Sequence, residues 1–121
     1  MRERAIFLDR DGVLNKPIIF ENKPFAPKKY EDFRLYPNTK EIINDLKKFN
    51  YKLIVVTNQK DVGMGITSVQ VLNKMHTYLK KEIQLDEIYV CTCIDNCDCY
   101  KPNPGMILAA QKKWNLDLTN C

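Results

Sequence analysis

The 121-residue chain has no apolar run approaching the roughly eighteen residues of a membrane span, so a bilayer-crossing helix is excluded. It opens Met1-Arg-Glu-Arg4 and passes directly into a short apolar run, without the cleavage-type segment of a secretory leader. No internal repeat, low-complexity tract or linker is present, and the composition excludes a disordered or collagen-like chain. Glycine is scarce, with 4 residues. Gly63 and Gly65 do not stand at the spacing of a GxxxxGK phosphate loop, so no Walker-type nucleotide site is read. Histidine is scarcer still. The lone His76 falls mid-helix and reads as a surface or packing residue, not a metal ligand. A large excess of one charge is also missing: 19 Lys+Arg stand against 15 Asp+Glu, a net +4. The lysine pairs at Lys28/Lys29, Lys47/Lys48, Lys80/Lys81 and Lys112/Lys113 are scattered, as on solvated faces. Neither a nucleic-acid partner nor a membrane partner is expected.

What remains is ordinary globular material, 45% hydrophobic and 28% charged, long enough for one domain (1–121) with one core. Ala5-Ile-Phe-Leu8 reads as a strand buried on both faces, as in a parallel sheet. Residues 15–37, interrupted by Pro17, Pro24, Pro27 and Pro37, read as a long loop of the kind kept for function. Asn38-Thr-Lys-Glu41 has the form of a capping box, and Ile42, Ile43, Leu46 and Phe49 then line one helical face. Leu53-Ile-Val-Val56 is a second buried strand. Thr67-Ser-Val-Gln70 opens a second helix with Leu72, Met75, Leu79 and Ile83 on its apolar side. Ile88-Tyr-Val90 is a third strand. Asn103-Pro104 gives a cap and a first-turn proline for a last helix carrying Ile107, Ala110 and Trp114. This alternation predicts an α/β, Rossmann-like parallel sheet with helices on both faces. Such sheets bind ligands beyond the carboxyl ends of their strands, so the chemistry belongs after Leu8, Val56 and Val90.

Each of those places carries reactive side chains. Asp9-Arg-Asp11-Gly12 follows the first strand. Carboxylates two apart on an extended segment project to one side, with Arg10 pointing away, and Gly12 permits the sharp turn. One acid can attack while the other shuttles a proton; a polar turn is the plain alternative. Thr57-Asn58-Gln59 ends the second strand with a hydroxyl and an amide that can hydrogen-bond an oxyanion. After the third strand, Cys91, Cys93, Cys97 and Cys99 form two C-x-C pairs. Four thiolates suit one tetrahedral, structural Zn²⁺ in the loop 91–99, with free thiols or disulfides as alternatives. The terminal Cys121 reads as incidental. Lys101, set between this loop and Pro102 and Pro104, can hold a carboxylate and a phosphate together.

Three such segments in order resemble the haloacid dehalogenase (HAD) superfamily of phosphohydrolases. The resemblance rests on Phe7-Leu-Asp-Arg-Asp-Gly-Val-Leu-Asn15, Val55-Val-Thr-Asn-Gln59, Cys97-Asp-Cys99 and Lys101-Pro-Asn-Pro-Gly-Met106. It covers about Ala5 to Asn115. The chain looks most like the zinc-containing branch that includes heptose-1,7-bisphosphate 7-phosphatase and histidinol-phosphatase. The resemblance implies a cytoplasmic phosphomonoesterase acting on a small phosphorylated sugar. Asp9 would be the nucleophile forming an aspartyl-phosphate and Asp11 the general acid and base. Thr57 and Asn58 would bind the phosphoryl group, and Lys101 would neutralise Asp9 and the phosphate. Mg²⁺ would sit on the Asp9 carboxylate and the Asp11 backbone carbonyl.

Departures from the family pattern qualify the substrate. Cys93 stands where the family often has histidine, and Tyr100 and Met64 stand where it often has arginines that contact a second phosphate. The family's fourth, acidic motif is expected after a further strand, and Asp117 is a poor substitute for it. The chain therefore reads as the N-terminal two-thirds of the family fold. That reading makes Ala5–Leu8 an edge strand open to self-association. Histidinol-phosphate or another small metabolite as substrate, and a catalytically impaired zinc-stabilised binding remnant, are the alternatives.

Overall fold

The structure is a computed structural model that describes residues 2–94 and 97–121. Three strands form the central parallel sheet: β1 (Ala5–Leu8), β4 (Lys52–Asn58) and β5 (Glu87–Cys91), in the order β1-β4-β5. Leu8 pairs with Val55 and Asn58 with Cys91, so the carboxyl ends of the strands are brought to one rim. β4 is central and buried along Leu53–Thr57. The period of two sorts its side chains to opposite faces. Leu53 and Val55 join a core with Ile43 of helix α1 (Thr39–Lys47) and Met75 and Leu79 of helix α3 (Val69–Glu82). Ile54 and Val56 join a second core with Met106 and Ala110 of helix α4 (Gly105–Trp114). Helices thus cover both faces, as the alternating pattern implies.

The segment read as a long loop is partly ordered. β2 (Ile18–Phe20) and β3 (Lys23–Phe25) pair antiparallel around Glu21-Asn22, both with positive φ, 51° and 61°. Two left-handed residues between short strands are the signature of a type I′ hairpin. The sequence signal is weak because Glu replaces the usual Asn or Gly, and Pro24 is tolerated only because the hairpin stands alone. A 3₁₀ turn, Tyr30–Asp32, follows.

Helix starts also depart from expectation. Asn38 takes a left-handed conformation (φ 69°) and its side chain makes no cap; Thr39 Oγ1 instead donates to the Leu14 carbonyl. Ser68 does cap α3, accepting from Val71 N–H at 3.1 Å. Pro104 is itself the residue before α4, one position earlier in the helix frame than expected, and Asn103 Nδ2 donates to the Cys97 carbonyl. Of the apolar residues expected on one face of α1 only Ile43 is buried; Ile42 and, just past the helix, Phe49 are exposed, because the helix rests on its Ile43–Leu46 edge. A short helix, α2 (Lys60–Gly63), joins β4 to α3.

β1 lies at the sheet edge. Part of its outer side is covered by the C-terminal turn: Glu3 pairs with Leu116, and Ala5 N–H donates to Cys121 Sγ at 3.3 Å. Asp117 accepts from Thr119 and Asn120 in this turn, at the amino end of β1 and away from the rim that carries Asp9.

Burial makes the two apolar sides of the helices separable by experiment. Met75→Ala, at a fully buried site, is expected to cost about 2–5 kcal/mol in denaturant unfolding. Ile42→Ala, on an exposed flank of α1, is expected to stay within about 0.5 kcal/mol. Equal losses at both positions would contradict this placement of the core.

Candidate active site

The parallel sheet delivers the candidate residues to one rim. Asp9 follows the last residue of β1 and its side chain is half-exposed. Lys101 Nζ lies 3.0 Å from Asp9 Oδ1 and also donates to the Val56 carbonyl at 2.9 Å. Asp9 Oδ1 accepts from the Arg10 N–H as well. Among the described residues, Asp9 Oδ2 makes no hydrogen bond or ion pair, so one carboxylate oxygen is left for an incoming cation or phosphorus.

Asn58 holds the lysine in place. Its Oδ1 accepts from the Lys101 N–H at 3.0 Å and its Nδ2 donates to the Lys101 carbonyl at 3.4 Å. The end of β4 is therefore clamped to the Lys101 loop through backbone groups. Thr57 is buried, and its Oγ1 accepts from Gln59 Nε2 at 2.9 Å.

Asp11 is held differently. Its Oδ1 accepts from Arg10 Nε (3.1 Å), Arg10 Nη2 (2.8 Å) and Asn15 Nδ2 (2.9 Å). Its Oδ2 accepts from Gln59 Nε2 at 2.8 Å. Gly12, at φ 85°, turns the chain back so that its N–H reaches the Asn15 carbonyl and Asn15 stands beside Asp11. Arg10 does not simply point away, as the alternation suggests. It is 0% exposed and folds beneath the rim. There it also meets Gln59 Oε1 (3.2 Å), His76 Nε2 (3.2 Å) and the face of Phe33. His76 is thus a packing residue with one polar task. A guanidinium has no acceptor, so Nε2 must accept, and the imidazole is neutral with its proton on Nδ1. Burial, then the Arg10 charge, lowers its pKa from 6.5 to about 4.

The four cysteines gather at the end of β5, with all four Sγ atoms within 4.8 Å of one another. The structure joins them as Cys91–Cys99 and Cys93–Cys97, where the sequence reading favours four free thiolates. Sulfurs of different pairs approach to 3.5, 3.6 and 3.9 Å, close to the edge of about 3.8 Å for a tetrahedron with 2.3 Å metal–sulfur bonds. Positions 95 and 96 of the expected loop 91–99 lie outside the described residues. The cluster is wired into the rim: the Cys91 carbonyl accepts from Gln59 N–H at 2.7 Å, and Tyr100 N–H donates to the Cys97 carbonyl. Gly105 closes the loop. Its N–H reaches the Asp98 carbonyl at 2.8 Å, and a Cβ there would lie 2.3 Å from that oxygen.

Two hollows meet at the rim. One of about 310 Å³ is lined by Asp11, Asn58, Gln59, Lys60, Phe25 and Tyr100, so the unforeseen hairpin supplies a wall. The other, of about 440 Å³, is lined by Lys101, Val56, Met106 and Ile107. Asn58 belongs to the first and Lys101 to the second, and their mutual hydrogen bonds join the two.

The polynucleotide kinase 3 phosphatase family matches residues 5–120. The chain belongs to the haloacid dehalogenase family of phosphatases. It is 34% identical to a D-glycero-alpha-D-manno-heptose-1,7-bisphosphate 7-phosphatase of Campylobacter jejuni, over 99% of this chain and 69% of the relative. It is 32% identical to the D-glycero-beta-D-manno counterpart of Helicobacter pylori, over 95% and 68%. A solved D,D-heptose 1,7-bisphosphate phosphatase of B. bronchiseptica, complexed with magnesium and phosphate, superposes with a TM-score of 0.78 at 26% identity. That match covers 95% of this chain and 65% of the solved one. The chain thus spans about two-thirds of the length of these members of the family.

Two measurements test this geometry. Asn58→Ala removes the clamp on Lys101, worth about 1 kcal/mol, so hydrogen exchange at the Lys101 amide should rise roughly fivefold. An unchanged rate would mean the loop is held without Asn58. The second concerns acid stability. The unfolded chain binds a proton on His76 near pH 6.5 and the folded chain only near pH 4. Stability from this group is complete above pH 6.5 and is lost as pH falls toward 4, about 3 kcal/mol in all. His76→Gln should remove that part of the acid slope, measured as the difference between the two unfolding profiles.

Proposed function

We propose that the chain is a Mg²⁺-dependent phosphomonoesterase that releases inorganic phosphate from a small phosphorylated sugar of the heptose bisphosphate type. The observation that carries this reading is the 3.0 Å approach of Lys101 Nζ to the half-exposed Asp9 carboxylate at the carboxyl rim of a parallel sheet. The named activity of the Campylobacter and Helicobacter relatives supports the substrate class.

In this reading Asp9 attacks phosphorus. A bond forms from a carboxylate oxygen to phosphorus, the ester P–O bond breaks, and the departing oxygen takes a proton from Asp11. Water then attacks phosphorus and gives a proton to Asp11. The P–O bond to Asp9 breaks and phosphate leaves. Lys101 holds its charge against both Asp9 and the phosphoryl oxygens, and the Thr57 and Asn58 rim of β4 orients them. Phosphoryl transfer demands little beyond such positioning and charge neutralisation.

Magnesium fits the donors present. Asp9 Oδ2 is free of protein partners among the described residues, and hard oxygen donors with few protein ligands suit Mg²⁺, which retains water and substrate oxygens. The Asp9 carboxylate and the Asp11 carbonyl would hold it. When bound, it would supply positive charge to the phosphoryl oxygens. Zinc fits the thiol cluster by donor type and by the mutual approach of all four sulfurs. Cys91, Cys93, Cys97 and Cys99 would hold it, and its role would be to fix the loop that ends in Lys101. A cytoplasmic location accords with this use of thiols.

Phosphate release from a panel of sugar phosphates, with and without Mg²⁺, tests the activity. Release is expected from heptose bisphosphate, it should require Mg²⁺, and Asp9→Asn should abolish it. Absence of release from folded chain would refute the reading. Histidinol-phosphate belongs in the panel, and preference for it would shift the substrate assignment. Elemental analysis of reduced protein should give about one zinc per chain. A value near zero would leave the cysteines as two disulfides.

A further inference from the structure

We propose that Gln59, oriented by the buried Arg10, is a positioning residue that sets Asp11 for the proton-transfer steps; this rests on the phosphatase reading above. Hydrogen-bond polarity carries the inference. Arg10 is fully buried and only donates, so the Gln59 oxygen must face it, as observed at 3.2 Å. The Gln59 amide nitrogen is then turned the other way. Its two protons go to Asp11 Oδ2 at 2.8 Å and Thr57 Oγ1 at 2.9 Å. Thr57, having accepted, keeps its own proton free to donate. Asp11, with Oδ1 on the Arg10 fork and Oδ2 on Gln59, is fixed at both oxygens. The Gln59 backbone is anchored too, donating to the Cys91 carbonyl at 2.7 Å. One buried cation therefore sets the direction of every donor along the line Arg10, Gln59, Thr57 and on to Asp11.

The two chemical steps differ in their need for Asp11, which gives a readout that packing alone does not move. With p-nitrophenyl phosphate the leaving group departs without a proton, so phosphorylation of Asp9 does not need a well-placed acid. Hydrolysis of the aspartyl-phosphate still needs a well-placed base. Gln59→Glu keeps the shape and the oxygen facing Arg10 but replaces the two donors with an oxygen. In Mg²⁺, this variant should show a burst of about one equivalent of p-nitrophenolate followed by slow turnover. Its kcat should fall about 100-fold and its KM in parallel, so that kcat/KM, which reports phosphorylation alone, stays within about twofold of the parent. Gln59→Met, which removes both donors at similar volume, should give the same burst and guards against misfolding of the first variant. Parent-like kinetics in both phases, or a fall in kcat without a burst, would overturn the positioning role while leaving the phosphatase reading intact. No release by the parent chain would overturn that reading, and this inference with it.

Discussion

The contact between Lys101 Nζ and Asp9 Oδ1 defines the site, yet it does not hold itself together. Both side chains reach solvent, 29% and 48% exposed. Exposed ion pairs contribute about 0–1 kcal/mol, too little to order a loop far away in sequence. The lysine must be delivered by other means. Asn58 grips both backbone groups of Lys101, the Val56 carbonyl takes one ammonium proton, and the cysteine cluster and the Gly105–Asp98 contact fix the loop on either side. The charge pair is the product of that scaffold. Its weakness is useful, since a pair that is not deeply stabilised can exchange partners with an incoming anion.

Beneath this open layer lies a dry one. Arg10 is fully buried, and a buried charge is tolerated only when paired and fully hydrogen-bonded. Its partners are Asp11, Gln59 and a neutral His76. A protonated His76 would place a second cation against the first, which is why its pKa is pushed down. The same contacts that satisfy Arg10 orient the groups above it. Fold stability and site geometry share these hydrogen bonds, so neither can be altered alone at Arg10.

Much of the frame is legible in the sequence. Leu53–Val56 is apolar in every position and buried on both faces, the apolar Ala5–Leu8 pairs beside it with only Ala5 fully buried, and the helix opened by Thr67-Ser-Val-Gln70 buries Leu72, Met75 and Leu79. The meeting of Asp9 and Lys101 followed from placing each at the carboxyl end of a parallel strand. Three features resisted. The β2–β3 hairpin turns on Glu21-Asn22, residues that favour a left-handed turn only in context. Asn38 has the composition of a cap but takes a left-handed backbone, and tertiary contact of Thr39 with Leu14 decides the helix start. Arg10 departs from alternation, because its guanidinium turns onto the Asp11 carboxylate while Phe33, Met75 and His76 receive it beneath the rim.

Arg10 also ties down the backbone on which Asp9 stands. β1 has one sheet neighbour, β4, and its outer side is covered only near Glu3 and Ala5 by the C-terminal turn. Two further contacts hold the chain at the residue that follows β1. The Arg10 N–H binds Asp9 Oδ1, and the Arg10 side chain is locked into the core under the rim. The backbone leaving Asp9 is thus tied to the helical layer below as well as to the sheet beside it. An arginine between two acids, which looks like a solvated turn residue, is the anchor of the segment that carries both carboxylates.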